Sequence, residues 1–179
     1  FLSALAVRKM PEAAVRVLED YLEKPDMIKA AFLQLYYLHH WEAATLVGEY
    51  FLRQNIFPIG QSRELENVLL FIAEQTEDLQ RQTILLHQRF LLSGSPDVFE
   101  KLKTAAADRW PAERDLLLTE LRENGDVPKI AALLASENDL ENLSELIENQ
   151  GDLALLQRYE SAFLPEMKAF VQVRYVAFL

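Results

Sequence analysis

The side chains able to do chemistry here are three histidines and 28 carboxylates, with no cysteine anywhere in 179 residues. His39-His40 followed by Glu42 supplies metal-ligand types. Adjacent histidines point in different directions, however, and a zinc site needs three or four converging protein ligands. This stretch is therefore expected to be a polar turn between two helices. His87 lies near Thr83, Ile84, Phe90 and Leu91, on the flank of an apolar face, and is expected at a core boundary. Glu137, Glu141, Glu145 and Glu148 recur every three or four residues, so one helix edge bears several of them. Acid–base work would also need a pocket that raises one carboxyl pKa, and no stretch announces one. The lack of cysteine removes disulfides, thiol nucleophiles and thiolate zinc sites. No Gly-rich loop precedes Lys-Ser or Lys-Thr, and the Rossmann, Gly-x-Ser-x-Gly and His-Glu-x-x-His patterns are missing. No catalytic residue, metal or cofactor is expected.

The elements that hold these residues are helical. Leu65, Val68, Leu69, Ile72 and Ala73 trace one helix face, and Leu116, Leu117 and Leu121 trace another. Pro11, Pro111 and Pro165 are each followed by Glu or Ala-Glu, which suits a first helical turn. Asp26, Asp78, Asp97, Asp126, Asp139 and Asp152 each precede an apolar-periodic stretch, as N-caps do. Stop signals stand at Gly60, Gly94, Gly125 and Gly151. These marks predict helices at 2–9, 11–23, 26–38, 41–54, 61–75, 78–92, 96–107, 111–123, 127–136, 139–149, 152–163 and 165–178. Val171 to Tyr175 alternates like a strand but has no partner strand elsewhere, so the last segment is assigned to a helix.

Two internal repeats point to stacking. Residues 11–22 align with 41–52 at an offset of 30, with Glu, Ala, Ala, Val, Glu and Leu identical. Asp126, Asp139 and Asp152 are spaced by 13, each followed by the same apolar frame. One cap, three helical turns and a tight reversal take about 13 residues, so consecutive helices must fold back antiparallel. Helices 26–38 and 61–75 carry apolar residues on more than one face and are expected to be buried on two sides. The expected fold is all-α, a right-handed α-α superhelix of about ten to twelve antiparallel helices, as one helical-repeat domain over 1–179.

This pattern resembles the tetratricopeptide-like helical-repeat proteins, although no repeat carries the full Trp, Leu-Gly, Tyr, Ala, Phe, Pro series. A narrower resemblance is to the helical region accompanying SWIM-type zinc fingers in bacterial proteins. It is carried over 60–179 by Asp108-Arg109-Trp110-Pro111, by Leu121-Arg122-Glu123-Asn124-Gly125-Asp126 and by Asn149-Gln150-Gly151-Asp152-Leu153. The Cys and His ligands of such a finger are absent, so any finger would lie outside this chain. These resemblances imply a non-catalytic scaffold for protein or peptide partners. The alternative they imply is a structural arm of a nucleic-acid-associated protein whose binding module lies elsewhere.

Composition narrows the partner. The formal net charge is −10, with 18 basic residues, which disfavours direct nucleic-acid binding. Residues 111–179 hold 6 basic and 13 acidic groups, so a basic protein or peptide is the expected partner. Seven aromatics crowd residues 32–57, of which Phe32, Tyr36, Trp41 and Phe51 suit a core. Tyr37, His40, Tyr50 and Arg53 are the expected partly exposed contacts at this end, and Glu137, Glu141 and Glu145 at the other. No apolar run approaches the roughly 18 residues of a membrane helix, so a cytoplasmic protein without membrane contact is expected. The chain opens Phe1-Leu2 and closes Val176-Ala177-Phe178-Leu179. Apolar ends are expected of a piece of a longer protein, and if exposed they invite self-association.

Overall fold

The computed structural model describes residues 11–163 and 167–177, and these are all-helical, without a strand. In chain order the helices are α1 (Pro11–Glu19), α2 (Pro25–Tyr37), α3 (Trp41–Arg53), α4 (Ile59–Gln75), α5 (Leu79–Ser93) and α6 (Pro96–Ala106). A 3-10 turn (Ala107–Arg109) precedes α7 (Trp110–Glu123), α8 (Val127–Ser136), α9 (Leu140–Gln150), α10 (Leu153–Phe163) and α11 (Lys168–Ala177). The expected helix 2–9 and the apolar tip at Phe178-Leu179 lie outside the described residues. Val171 to Tyr175, strand-like in pattern, are helical within α11. No helix among the described residues is long and apolar enough to cross a membrane.

The chain divides into two compact units, residues 1–85 and 86–179, with the boundary inside α5. In the first, α3 packs against α1, α2 and α4. Its core is Val15 and Leu18 of α1, Ile28, Phe32 and Leu35 of α2, Val47 and Phe51 of α3, and Leu65, Leu69 and Ile72 of α4. Gly48 makes the close approach on α3: a Cβ there would stand 2.7 Å from Phe32 Cε2 and 3.0 Å from Leu69 Cδ2. In the second unit α6 packs on α7 and α8, α8 on α9 and α10, and α10 on α11. Phe99, Leu102, Leu117, Leu133, Leu143, Ile147, Leu156 and Phe163 fill that core.

Two expectations of burial are corrected. On α2 only the face of Ile28, Phe32 and Leu35 is sealed; Ala30 is exposed and Tyr37 is 71% exposed. The helix packs its core face on α3, and α4 reaches it through Lys29 with Glu64, Gln61 with Asp26 and the edge-to-face contact of Tyr36 with Phe71. On α4, Leu69, Leu70, Ile72 and Ala73 are buried, whereas Phe71 remains 40% exposed.

Four reversals share one geometry. His39, Glu77, Gly125 and Asn138 each adopt a left-handed φ, between 54° and 66°. The residue after each donates its N–H to the carbonyl five positions back: His40 to Leu35 (3.0 Å), Asp78 to Ala73, Asp126 to Leu121 and Asp139 to Leu134 (2.9 Å each). This closes the preceding helix. The same residue stands immediately before the next helix, and the Asp78, Asp126 and Asp139 carboxylates accept the N–H groups of Arg81, Lys129 and Asn142. Asp152 caps α10 through Ala154 and Leu155.

Asp26 and Asp97 are not caps. Pro25 and Pro96 lack an N–H and have φ preset, so they take the first helical position and place Lys24 and Ser95 before it. Gly60 is not a stop signal either; it lies in the first turn of α4, behind Pro58.

Alanine at the two helical glycines should therefore act in opposite directions. Gly48→Ala gains about 1 kcal/mol of helix propensity but overpacks a sealed site, a cost of typically about 1–3 kcal/mol. A net loss is expected as a lower urea midpoint. Gly60→Ala, with nothing within 4 Å of its Cβ, is expected to raise the midpoint through a stability gain of up to about 1 kcal/mol.

Candidate functional site

The four aromatic and basic contact residues do not form one patch. Tyr37 closes α2 and His40 precedes α3, while Tyr50 and Arg53 lie in the last turn of α3. At 1.5 Å per residue, His40 and Tyr50 stand about 15 Å apart along the axis. Tyr37 lies tilted against Tyr36 (5.1 Å between centroids), and Tyr36 in turn lies 5.7 Å from Trp41. His40 is half-buried and its side chain makes no cap. Tyr50 donates its hydroxyl to Glu19 on α1. That hydrogen bond, then burial, then the Glu19 charge raise the Tyr50 pKa above 10.0. Arg53 is exposed and pairs with Glu49 at 3.7 Å.

The three glutamates also separate. Glu137 is not on the α9 edge; it ends α8, before the left-handed Asn138 and the cap Asp139. Trp110 Nε1 donates to it at 2.8 Å, Lys103 lies 3.3 Å away, and Arg114 binds it while reaching Asp139 at 2.7 Å. Burial would raise the Glu137 pKa, but the donors Trp110, Arg114 and Lys103 outweigh burial and, with the Arg114 charge, hold it below 4.5. Glu141 and Glu145 are exposed one turn apart on α9, and neither has an ion-pair partner among the described residues. Glu148, further along, pairs with Arg174 of α11.

His87 is buried deeper than a boundary residue. Its Nδ1 meets the Glu113 carboxylate and its Nε2 lies 3.3 Å from Glu120. The sequence signal was present but quiet: Glu113 and Glu120 are seven residues apart, two turns, hence on one face of α7. Among the described residues no group of three or more His, Cys, Asp or Glu is arranged to hold a metal ion.

One open cleft of about 240 Å³ belongs to the first unit, lined by Glu12, Glu42, Thr45, Leu46 and Arg81. Glu12 and Glu42 are the equivalent glutamates of the 30-residue repeat, each in the first turn of its helix, and α1 and α3 pack together. Arg81 is already engaged, by Glu49 at 2.6 Å and Asp78 at 2.7 Å. Of these five residues the sequence singles out only Glu42, as a metal-ligand type beside His39-His40, although the repeat that aligns Glu12 with Glu42 is visible in it.

Comparisons with protein-family models, with curated proteins and with solved structures find no match to this chain.

Because its folded pKa is lowered, Glu137 adds stability that is complete above its unfolded value of 4.5 and is lost as pH falls through the folded value. Glu137→Gln is expected to cost about 1–3 kcal/mol at neutral pH. It should also flatten the loss of stability below pH 4.5 relative to wild type. Urea titrations at neutral and acid pH check both; parallel acid limbs would contradict this assignment.

Proposed function

We propose that the chain is a non-catalytic, solenoid-type helical-repeat scaffold, related in kind to the tetratricopeptide-like proteins, that holds a basic protein or peptide. The observation that carries this is next-but-one packing: α1 on α3 in the first unit, and α6 on α8 and α8 on α10 in the second. A helix in an isolated hairpin needs only its neighbour. A helix that also meets the one after next suits a stack of pairs, the arrangement that presents an extended surface, and so supports this reading.

A charge argument supports the basic partner. Glu141 and Glu145 are like charges at i and i+4, which costs a few tenths of a kcal/mol on an isolated helix. No cation among the described residues offsets them. A partner bearing Lys or Arg would, and its encounter would quicken at low salt. The rigid surface also lowers the ordering cost of binding.

Affinity capture with the full chain as bait, with and without nuclease, tests this reading. A stoichiometric, nuclease-resistant basic partner is expected, with recovery lowered on the order of tenfold by Glu141→Lys with Glu145→Lys. Recovery that collapses with nuclease would replace the scaffold with the structural arm of a nucleic-acid-associated protein.

A further inference from the structure

We propose that the joint between α6 and α7 is a strained hinge through which two copies of this chain exchange everything before Ala107. The product is a reciprocal dimer in which residues 96–123 run as one helix. This exchange is independent of any partner the scaffold holds.

Backbone strain comes first. Ala107 has φ 47° and ψ −121°, and that ψ lies far from the left-handed helical well at about +47°. A side chain is strained there, and such a conformation persists only where the rest of the fold imposes it. Ala106 and Arg109 on either side are right-handed, so the bend centres on Ala107. Nothing local asks for a break. From Asp97 to Trp110 the sequence has no Gly, Asn or Pro, and Ala105 to Ala107 are the best of helix formers. Among the described residues every other link between consecutive helices includes residues outside a helix, whereas α6 runs through the 3-10 turn directly into α7.

Packing says what imposes it. The bend lets α6 lie on α7 and α8, where Phe99, Leu102, Ala105 and Ala106 are sealed. A chain that straightened alone would expose them to water. Two chains that straighten together each offer the other the same α7 and α8. Phe99 with Trp110 (5.3 Å between centroids), Lys103 with Glu137 (3.3 Å) and Lys129 with the Leu91 carbonyl (2.6 Å) then re-form between chains. The two forms differ only at the joint, which is the condition for domain swapping.

Pro111 sets the other side of the balance. In the first turn of α7 it needs no partner for the N–H it lacks. In a continuous helix its ring would meet the Ala107 carbonyl, which would also lose its donor. The straight form therefore carries the Pro111 penalty and the bent form carries the Ala107 strain. These are of the same order, so neither form is excluded and chain concentration shifts one toward the other.

The test mixes isotope-labelled and unlabelled full chains near the urea midpoint, returns them to buffer, and isolates the dimer by size exclusion with light scattering. A carbodiimide then couples Lys103 to Glu137, and mass spectrometry reads the label on each half of the crosslink. Mixed-label pairs are expected in the dimer and same-label pairs in the monomer. Ala107→Gly relieves the bent form and also weakens the straight helix. It is expected to lower the dimer association constant at least about a hundredfold, because every dimer contains two joints. Pro111→Ala should raise that constant by at least as much. Circular dichroism checks that both variants keep the wild-type helix content. Absence of mixed-label pairs from wild type at millimolar concentration would overturn the proposal. So would a dimer holding only same-label pairs, which is association through another surface, or Ala107→Gly dimerising as readily as wild type.

Discussion

A backbone hydrogen bond spanning five residues sets the architecture of this chain. Its donor at His40, Asp78, Asp126 and Asp139 seals the carbonyls of one helix while the same residue opens the next. No spare residues separate the two jobs, so the second helix has little choice but to return antiparallel beside the first. Packing faces follow from that reversal. Leu133 and Leu134 of α8, which packs on α9 and α10, are buried because the turns hold those helices within reach, not because leucine is selective.

Polar ties then fix what the turns allow. Asp139 caps α9 and also receives Arg114, whose guanidinium holds Glu137; Trp110 and Lys103 complete the group. One reversal is thereby fastened to α6 and α7. In the first unit Arg81 does comparable work from α5, joining the cap Asp78 to Glu49 of α3. In each case a capping carboxylate is shared with an arginine from another turn or helix. The caps serve tertiary structure as well as helix ends.

Much of this was legible from residue types. Asp78, Asp126, Asp139 and Asp152 announced caps because a short carboxylate before an apolar run has few better uses. Gly94, Gly125 and Gly151 announced left-handed turns for a conformational reason. The signal failed where another rule won. Prolines displaced the expected caps at Asp26 and Asp97, and His39 and Glu77 adopt a conformation that costs a side chain about 1–2 kcal/mol. Nothing local marks them; the hydrogen bonds they permit outweigh the strain. Long-range pairs were equally silent. His87 with Glu113, and Trp110 with Glu137, lie more than two dozen positions apart and meet only when helices pack.

The shared cap has a further consequence, for how such a chain can change length. Between Asp126 and Asp152 the reversals contain no slack in which an added residue could be lost. A single insertion inside α9 would turn every later side chain on that helix by about 100°, carrying the buried Ile147 to the exposed position that Glu148 holds. Adding or removing three or four residues nearly restores the face. Length here is quantised in helical turns, and the loops that absorb drift in most proteins are, in this stretch, only two or three residues long.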